Sequence, residues 1–174
     1  MDLYTFDRRN LLNPGVTIEL FSDYNITNVE LGSEVVEFIN KQYPIGISEH
    51  GNQYIFEPLN EDTVTTSVFI DSMFELIRQQ HYPKLWSRFQ SVFAVEKKDV
   101  PKLAKTLGIS DQPLYQVEAE HYEKHDMNLL KGSCYAYCSY FAHRYWRDEH
   151  TATPLFEYLL KPPIKVIRNV QYPI

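Results

Sequence analysis

The sequence is short of cysteine, of long apolar runs and of surplus positive charge, and each shortage removes a class of function. Cys134 and Cys138 are the only cysteines in 174 residues, so no disulfide framework holds the fold. Their spacing puts both on one face of a helix, where they are poorly placed to bond to each other and too few to complete a zinc site. His121 and His125 share that spacing, but nothing ties the two pairs together, and the cysteines read as small packing residues. No apolar stretch reaches transmembrane length, and the opening Met1-Asp2-Leu3-Tyr4-Thr5 lacks the basic and apolar regions of a signal peptide. The expectation is a cytoplasmic protein with no membrane partner. A formal charge of -6 disfavours an indiscriminate grip on nucleic acid. Glycine-rich phosphate loops, His-Glu-x-x-His, Gly-x-Ser-x-Gly and Cys-x-x-Cys are all missing, which takes weight from common nucleotide, zinc-protease and hydrolase readings.

What is present is globular. Hydrophobic residues make up 44% and charged residues 23%, values that suit one domain with a real core. Tyrosine is abundant, with 13 residues beside 10 phenylalanines; its amphipathic ring suits the walls of a cleft as well as the edge of a core. Bases cluster at Arg8-Arg9, Lys84 to Arg88, Lys97 to Lys105, His143 to Arg147 and Lys161 to Arg168. A local basic cleft on an acidic protein requires that such segments meet in space.

Periodicity gives the elements. Asp2 to Phe6 reads as a strand, Asn13-Pro14-Gly15 as a turn, and Val16 to Phe21 as a half-buried strand. A helix runs from Ser33 to about Gln42 and stops before Pro44. Ile45 to Asp62 reads as an acidic loop with Glu49-His50-Gly51-Asn52 at its tip, either a lid or a solvated connection. Thr66 to Gln80 carries a helical stripe of Val68, Phe69, Met73, Phe74, Leu76 and Ile77. Ser91 to Glu96 reads as a buried strand, Pro101 to Leu107 as a short helix stopped by Gly108, and Leu114 to Glu120 as a strand. A long helix extends from Met127 or Leu129 to Arg147, interrupted near Gly132-Ser133. Leu155 to Leu160 and Ile164 to Val170 are strands on either side of a Pro162-Pro163 kink. The irregular order is that of a single α+β domain with largely antiparallel or mixed sheets and flanking helices.

The residues that invite a chemical reading are few. Trp86 to Ala94 delivers Arg88, Gln90 and Ser91 to the mouth of a strand, a cation, an amide and a hydroxyl suited to a phosphate or a nucleotide edge; Arg88 in an ordinary ion pair is the plainer reading. Glu157 interrupts an apolar run, where a charge must be paired, face a cavity, or point outward from an edge strand. Asp126 beside His125 is either a second reactive acid or a helix cap, and Asp7 beside Arg8 either a third acid or half of an ion pair.

Four segments in order carry a resemblance: Leu3-Tyr4-Thr5-Phe6-Asp7-Arg8 with Pro14-Gly15; Ser87 to Ala94; Asp126 with Leu129-Leu130, Ala142 and Tyr145-Trp146; and Phe156 to Leu160 with Pro163-Ile164-Lys165-Val166. Together they resemble a bacterial family with an ADP-ribosyltransferase-like fold. That resemblance implies a split β architecture with a nucleotide cleft. It puts a first-strand contact at Tyr4, Thr5 or Arg8, a middle wall at Arg88, Gln90 and Ser91, the catalytic acid at Glu157, and a stacking wall at Tyr145 and Trp146. Where related sequences tend to carry Tyr-His, this one has Tyr4-Thr5, and threonine cannot grip a ribose as an imidazole does. The implied chemistry is cleavage of an N-glycosidic bond through an oxocarbenium-like sugar. NAD is then a substrate. A DNA glycosylase, without a cofactor and with a place in antiphage defence, uses the same step on a flipped nucleotide; a nucleotide-binding module that keeps the fold without catalysis is the third expectation.

Overall fold

The computed structural model describes residues 2–24, 32–56 and 65–174. In chain order its elements are β1 (Leu3–Phe6), β2 (Thr17–Ile18), α1 (Ser33–Gln42), α2 (Glu49–Phe56), α3 (Thr65–His81), β3 (Val92–Glu96), α4 (Val100–Leu107), β4 (Leu114–Asp126), α5 (Tyr135–Trp146) and β5 (Phe156–Val170). All strand pairings among them are antiparallel. The fold is therefore α+β, and the mixed-sheet alternative drops out for the described residues.

The strands form one sheet rather than two. Its order is β2-β5-β3-β1-β4, and β5 pairs with β4 as well. β1, β3, β4 and β5 thus close a circuit. The inside of the circuit holds Leu3, Ala94, Val117, Tyr158, Leu160 and Ile164. The outside is covered in two places. Tyr4, Val95 and Leu114 pack with Val100 of α4, while Leu159 and Phe93 pack under α3 and α5. β5 is buried on both faces here, which explains its unbroken apolar run.

Strand lengths depart from expectation for local reasons. β4 runs to Asp126 although His121 to Asp126 is polar, because each residue from His121 has a partner on β5. The Pro162-Pro163 pair does not divide β5. The last pairing before it is His121 with Lys161 and the next is Ala119 with Ile164, so both prolines fall in an irregularity where the ladder asks for no N–H. The second predicted strand shrinks to Thr17–Ile18, with a single bridge between Phe21 and Ile47 beyond it.

The helices follow the same logic. α1 has the expected bounds, with Gly32 rather than Ser33 at its N-cap. α4 starts with Pro101 in its first turn and stops at Gly108, whose φ of 65° is left-handed. The long predicted helix is two elements, because Asp126 caps a 3-10 turn at Met127–Leu129 and α5 begins only at Tyr135. In α3 the stripe is narrower than predicted: Phe74 and Ile77 are buried, whereas Leu76 is 59% exposed.

The largest correction is α2, expected as loop. Ile47 and Phe56 are buried at its two ends. Gly51 lets the helix approach the backbone of Phe89 so closely that an added Cβ would stand 2.2 Å from that carbonyl oxygen. The part of the predicted loop from 57 to 62 lies outside the described residues.

Candidate functional site

Arg88 is held by its own turn. Residues Arg88–Gln90 form a 3-10 turn that begins at Ser87, whose Oγ accepts from the Phe89 N–H at 3.1 Å. Ser91 Oγ donates to the Ser87 carbonyl at 2.7 Å, and Gln90 Nε2 donates to the Gly46 carbonyl at 2.7 Å. The polar ends of Gln90 and Ser91 are thus engaged in fixing the turn that presents Arg88. Trp86 adds a clasp, its indole Nε1 donating to the Gln90 carbonyl at 2.9 Å.

The guanidinium enters a buried cluster drawn from three other elements. Its Nε donates to Asp71 Oδ1 of α3 at 2.7 Å. Its Nη1 donates to the Tyr145 hydroxyl of α5 at 2.8 Å and to Glu157 Oε1 of β5 at 2.5 Å. Tyr145 in turn donates to Glu157 Oε1 at 2.7 Å. Both bonds to Glu157 fall on Oε1; Oε2 accepts none from the described residues and is not among their sealed, unpartnered atoms. Arg88, Glu157 and Asp71 are 4%, 5% and 6% exposed.

Electrostatics act on Arg88, Asp71 and Tyr145 in opposing directions. Burial opposes the charge on Arg88, but Glu157, Tyr145 and Asp71 outweigh it and raise the guanidinium pKa. Burial also pushes the Asp71 carboxyl up, yet Arg88 and His50 overcome it and hold Asp71 well below the usual carboxylate range. Burial lifts the Tyr145 phenol far above its ordinary value; Arg88 pulls it down and Glu157 lifts it further. Tyr145 is a neutral donor, and Asp71 and Glu157 share one guanidinium.

α2 supplies the outer side. His50 Nε2 stands 3.6 Å from Asp71 Oδ1. Its ring lies 4.3 Å from Tyr54 and 4.7 Å from Phe93, and Phe93 also underlies Arg88 at 4.5 Å. Tyr54 has its pKa raised, by burial first and then by Asp71, against opposing pulls from Arg8 and Arg88. Arg8 itself is exposed. His50 Nε2 and both polar side-chain atoms of Asn52 are buried without a hydrogen-bond partner among the described residues. In a folded protein such atoms call for an explanation.

The other expected site residues lie elsewhere or serve the framework. Tyr4 packs under α4 with Val95 and Leu114. Thr5 is buried opposite Tyr115 in the β1–β4 register. Neither bonds to Arg88 or Glu157. Trp146 is 3% exposed and donates its indole N–H to the Phe74 carbonyl at 2.8 Å, so its ring belongs to the core. The stacking partner of Tyr145 is His125, 4.4 Å away and nearly parallel. Asp126 accepts from the N–H groups of Asn128, Thr151 and Leu155 and from the Thr151 hydroxyl. Those bonds hold its pKa down against burial and bind the loop before β5. Asp7 likewise accepts from the N–H groups of Arg9, Leu11 and Leu12. Burial pushes the Cys138 thiol up to about 11, as suits a packing residue.

Asp71, His50 and Asn52 did not stand out in the sequence. One signal was there: Asp71, Glu75 and Arg78 follow an i, i+4, i+7 spacing, a single helical face. Asp71 and Glu75 are buried, and Arg78 pairs with Glu75 at 2.7 Å.

An open cavity of about 310 Å³ is lined by Lys84, Trp86, His121, Tyr122, Glu123, Leu159 and Lys161. No helix among the described residues is long and apolar enough to cross a membrane.

No curated protein matches the chain. A family model described as a protein of unknown function, DUF2441, matches residues 5–172, and the chain belongs to that family.

Proposed function

We propose that the protein cleaves the N-glycosidic bond of a nucleotide on an ADP-ribosyltransferase-like framework, with ADP-ribosyl transfer from NAD or NAD glycohydrolysis as the leading reaction. The observation that carries this reading is the convergence of Arg88, Tyr145 and Glu157 with Glu157 Oε2 left open. When the base departs with the bonding electrons, positive charge develops on the ribose. A preorganised carboxylate stabilises that charge most where water is excluded. Glu157 is such a group, and Arg88 and Tyr145 fix its orientation through Oε1. Asp71 answers the guanidinium from its other side, so Arg88 is not the partner of Glu157 alone. NAD is consumed in this reaction as a substrate, and the acceptor is water or a nucleophile of a second molecule.

A DNA N-glycosylase is the alternative, favoured by the lysines and aromatic rings of the open cavity. It needs no cofactor. The experiment pairs the two substrates: the protein is incubated with NAD while nicotinamide is followed, and with DNA while abasic sites are followed. The expected result is nicotinamide release that falls about a hundredfold or more in Glu157→Gln. Abasic sites lost in the same variant transfer the chemistry to DNA. Binding without turnover of either substrate reduces the protein to a nucleotide-binding module.

A further inference from the structure

β5 carries Glu157, Leu159 and Lys161 on one face, and their register partners on β4 are His125, Glu123 and His121. Residues two apart on a strand are separated by about 7 Å, so Leu159, which lines a cavity of about 310 Å³, stands one such step from Glu157. The lining is cationic. Lys84 and Lys161 form no ion pair among the described residues, and the Lys161 ammonium rests 4.3 Å above the Trp86 ring. The acid of the lining, Glu123, is turned inward: Oε1 accepts the Trp86 N–H at 2.9 Å and Oε2 lies 3.5 Å from His125 Nε2. The His121 pairing with Glu120 is exposed and long at 3.7 Å, where solvent screens it. Positive charge therefore gathers in one concavity on a protein of net charge -6. Trp86 is fixed at both its backbone and its indole nitrogen, whereas the Tyr122 ring packs against Tyr158 on the other face of the sheet. Fixed aromatic surface beside unpaired lysines matches a planar group that carries an anion.

We propose that this cavity is a binding subsite for a nucleotidyl group, its phosphate drawn to Lys84, Lys161 and His121 and its base lying against Trp86. That Glu157 reacts with the group bound there rests on the function proposed above; that the cavity binds does not. The phosphate pulls the Lys161 ammonium away from the indole and so opens the ring to the base.

The chain has two tryptophans, and Trp146 is sealed in the core, so the two indole N–H resonances report separately on cavity and core. The intact protein is titrated with AMP, with inorganic phosphate and with a short single-stranded deoxyoligonucleotide, and Trp86→Phe assigns the resonances. AMP is expected to move the Trp86 signal and leave Trp146 in place. Inorganic phosphate binds about tenfold more weakly than AMP, for want of the stacked base. The pair of exchanges Lys84→Gln and Lys161→Gln weakens AMP about a hundredfold, roughly tenfold for each charge-assisted hydrogen bond removed. Saturation by AMP identifies a free nucleotide as the source of the group, and saturation by the oligonucleotide alone identifies a strand. A Trp86 signal that stays still with both, a double variant that binds as well as the native chain, or phosphate binding as tightly as AMP overturns the proposal. The nicotinamide and abasic-site assays are run on the same preparation as the AMP titration, so failure of the subsite and failure of the reaction are read apart.

Discussion

Arg88 and Glu157 are 69 positions apart in the chain and 2.5 Å apart in the fold. Neither charge is sustainable alone at 4% and 5% exposure. Breaking a buried pair from one side leaves the other charge uncompensated, at about 3–5 kcal/mol. Here the loss is compounded, because Arg88 also answers Asp71. Arg88→Ala is expected to destabilise the protein by about that amount, with the urea midpoint lowered at an unchanged slope. Arg88→Lys recovers part of the stability, since a point charge reaches one carboxylate but cannot donate along two directions as the guanidinium does.

Tyr145→Phe separates orientation from packing. The ring that stacks on His125 and meets Phe74 edge-on is kept, and only the hydroxyl between Arg88 and Glu157 is removed. Stability should fall by about 1 kcal/mol. Turnover of whichever nucleotide the protein cleaves should fall about tenfold or more, because Glu157 loses one of the two donors that aim it. A variant with native turnover places the hydroxyl outside the chemistry.

Gly51→Ala tests the docking of α2. The added methyl meets the Phe89 carbonyl, a backbone atom of the turn that presents Arg88. The helix must withdraw, and with it His50. We expect a loss of about 1–3 kcal/mol, as for overpacked sites, and faster amide exchange over Glu49–Phe56 than in the native chain. Unchanged exchange there means that the contact is slack.

His143 gives a pH test. Its pKa is lowered, by burial first and then by His81 and Arg147. Below the unfolded value of about 6.5 the unfolded chain therefore binds more protons at this residue than the folded one. The stability it contributes is fully present above that pH and is lost as pH falls through the lowered value. His143→Gln is expected to flatten this part of the melting-temperature profile between about pH 5 and 7, with Tyr82 still offered a hydrogen-bonding side chain in place of the Nδ1 contact at 3.0 Å. A profile of native steepness in the variant assigns the acid sensitivity to other groups.

Much of this fold was legible because local chemistry and tertiary packing agree. Ser33 to Gln42 and Pro101 to Leu107 are amphipathic, and their stops at Tyr43-Pro44 and Gly108 are written in single residues. Glu157 stood out because it breaks an apolar run that β5 buries on both faces. Asp71 did not, since a polar residue in an amphipathic helix is ordinary until the fold turns that edge inward. His50 and Asn52 were hidden by a stretch with the composition of a loop, and only the approach of Gly51 to Phe89 makes a helix there productive. The polar end of β4 was illegible for a related reason: its partner strand lies well beyond it in the chain, past the whole of α5, and long-range pairing overrides local propensity.

The circuit of strands closes only through β5, which joins β3 to β4 and follows every other strand in the chain. During synthesis, earlier segments leave the ribosome first. β1, β3 and β4 can pair beforehand, and α3 can present Asp71, but Glu157 enters with the strand that seals the sheet. Arg88 must wait for its second carboxylate until that moment. The cluster is therefore a late acquisition on the folding route, and a nascent chain halted ahead of Phe156 has an unfinished sheet and no site.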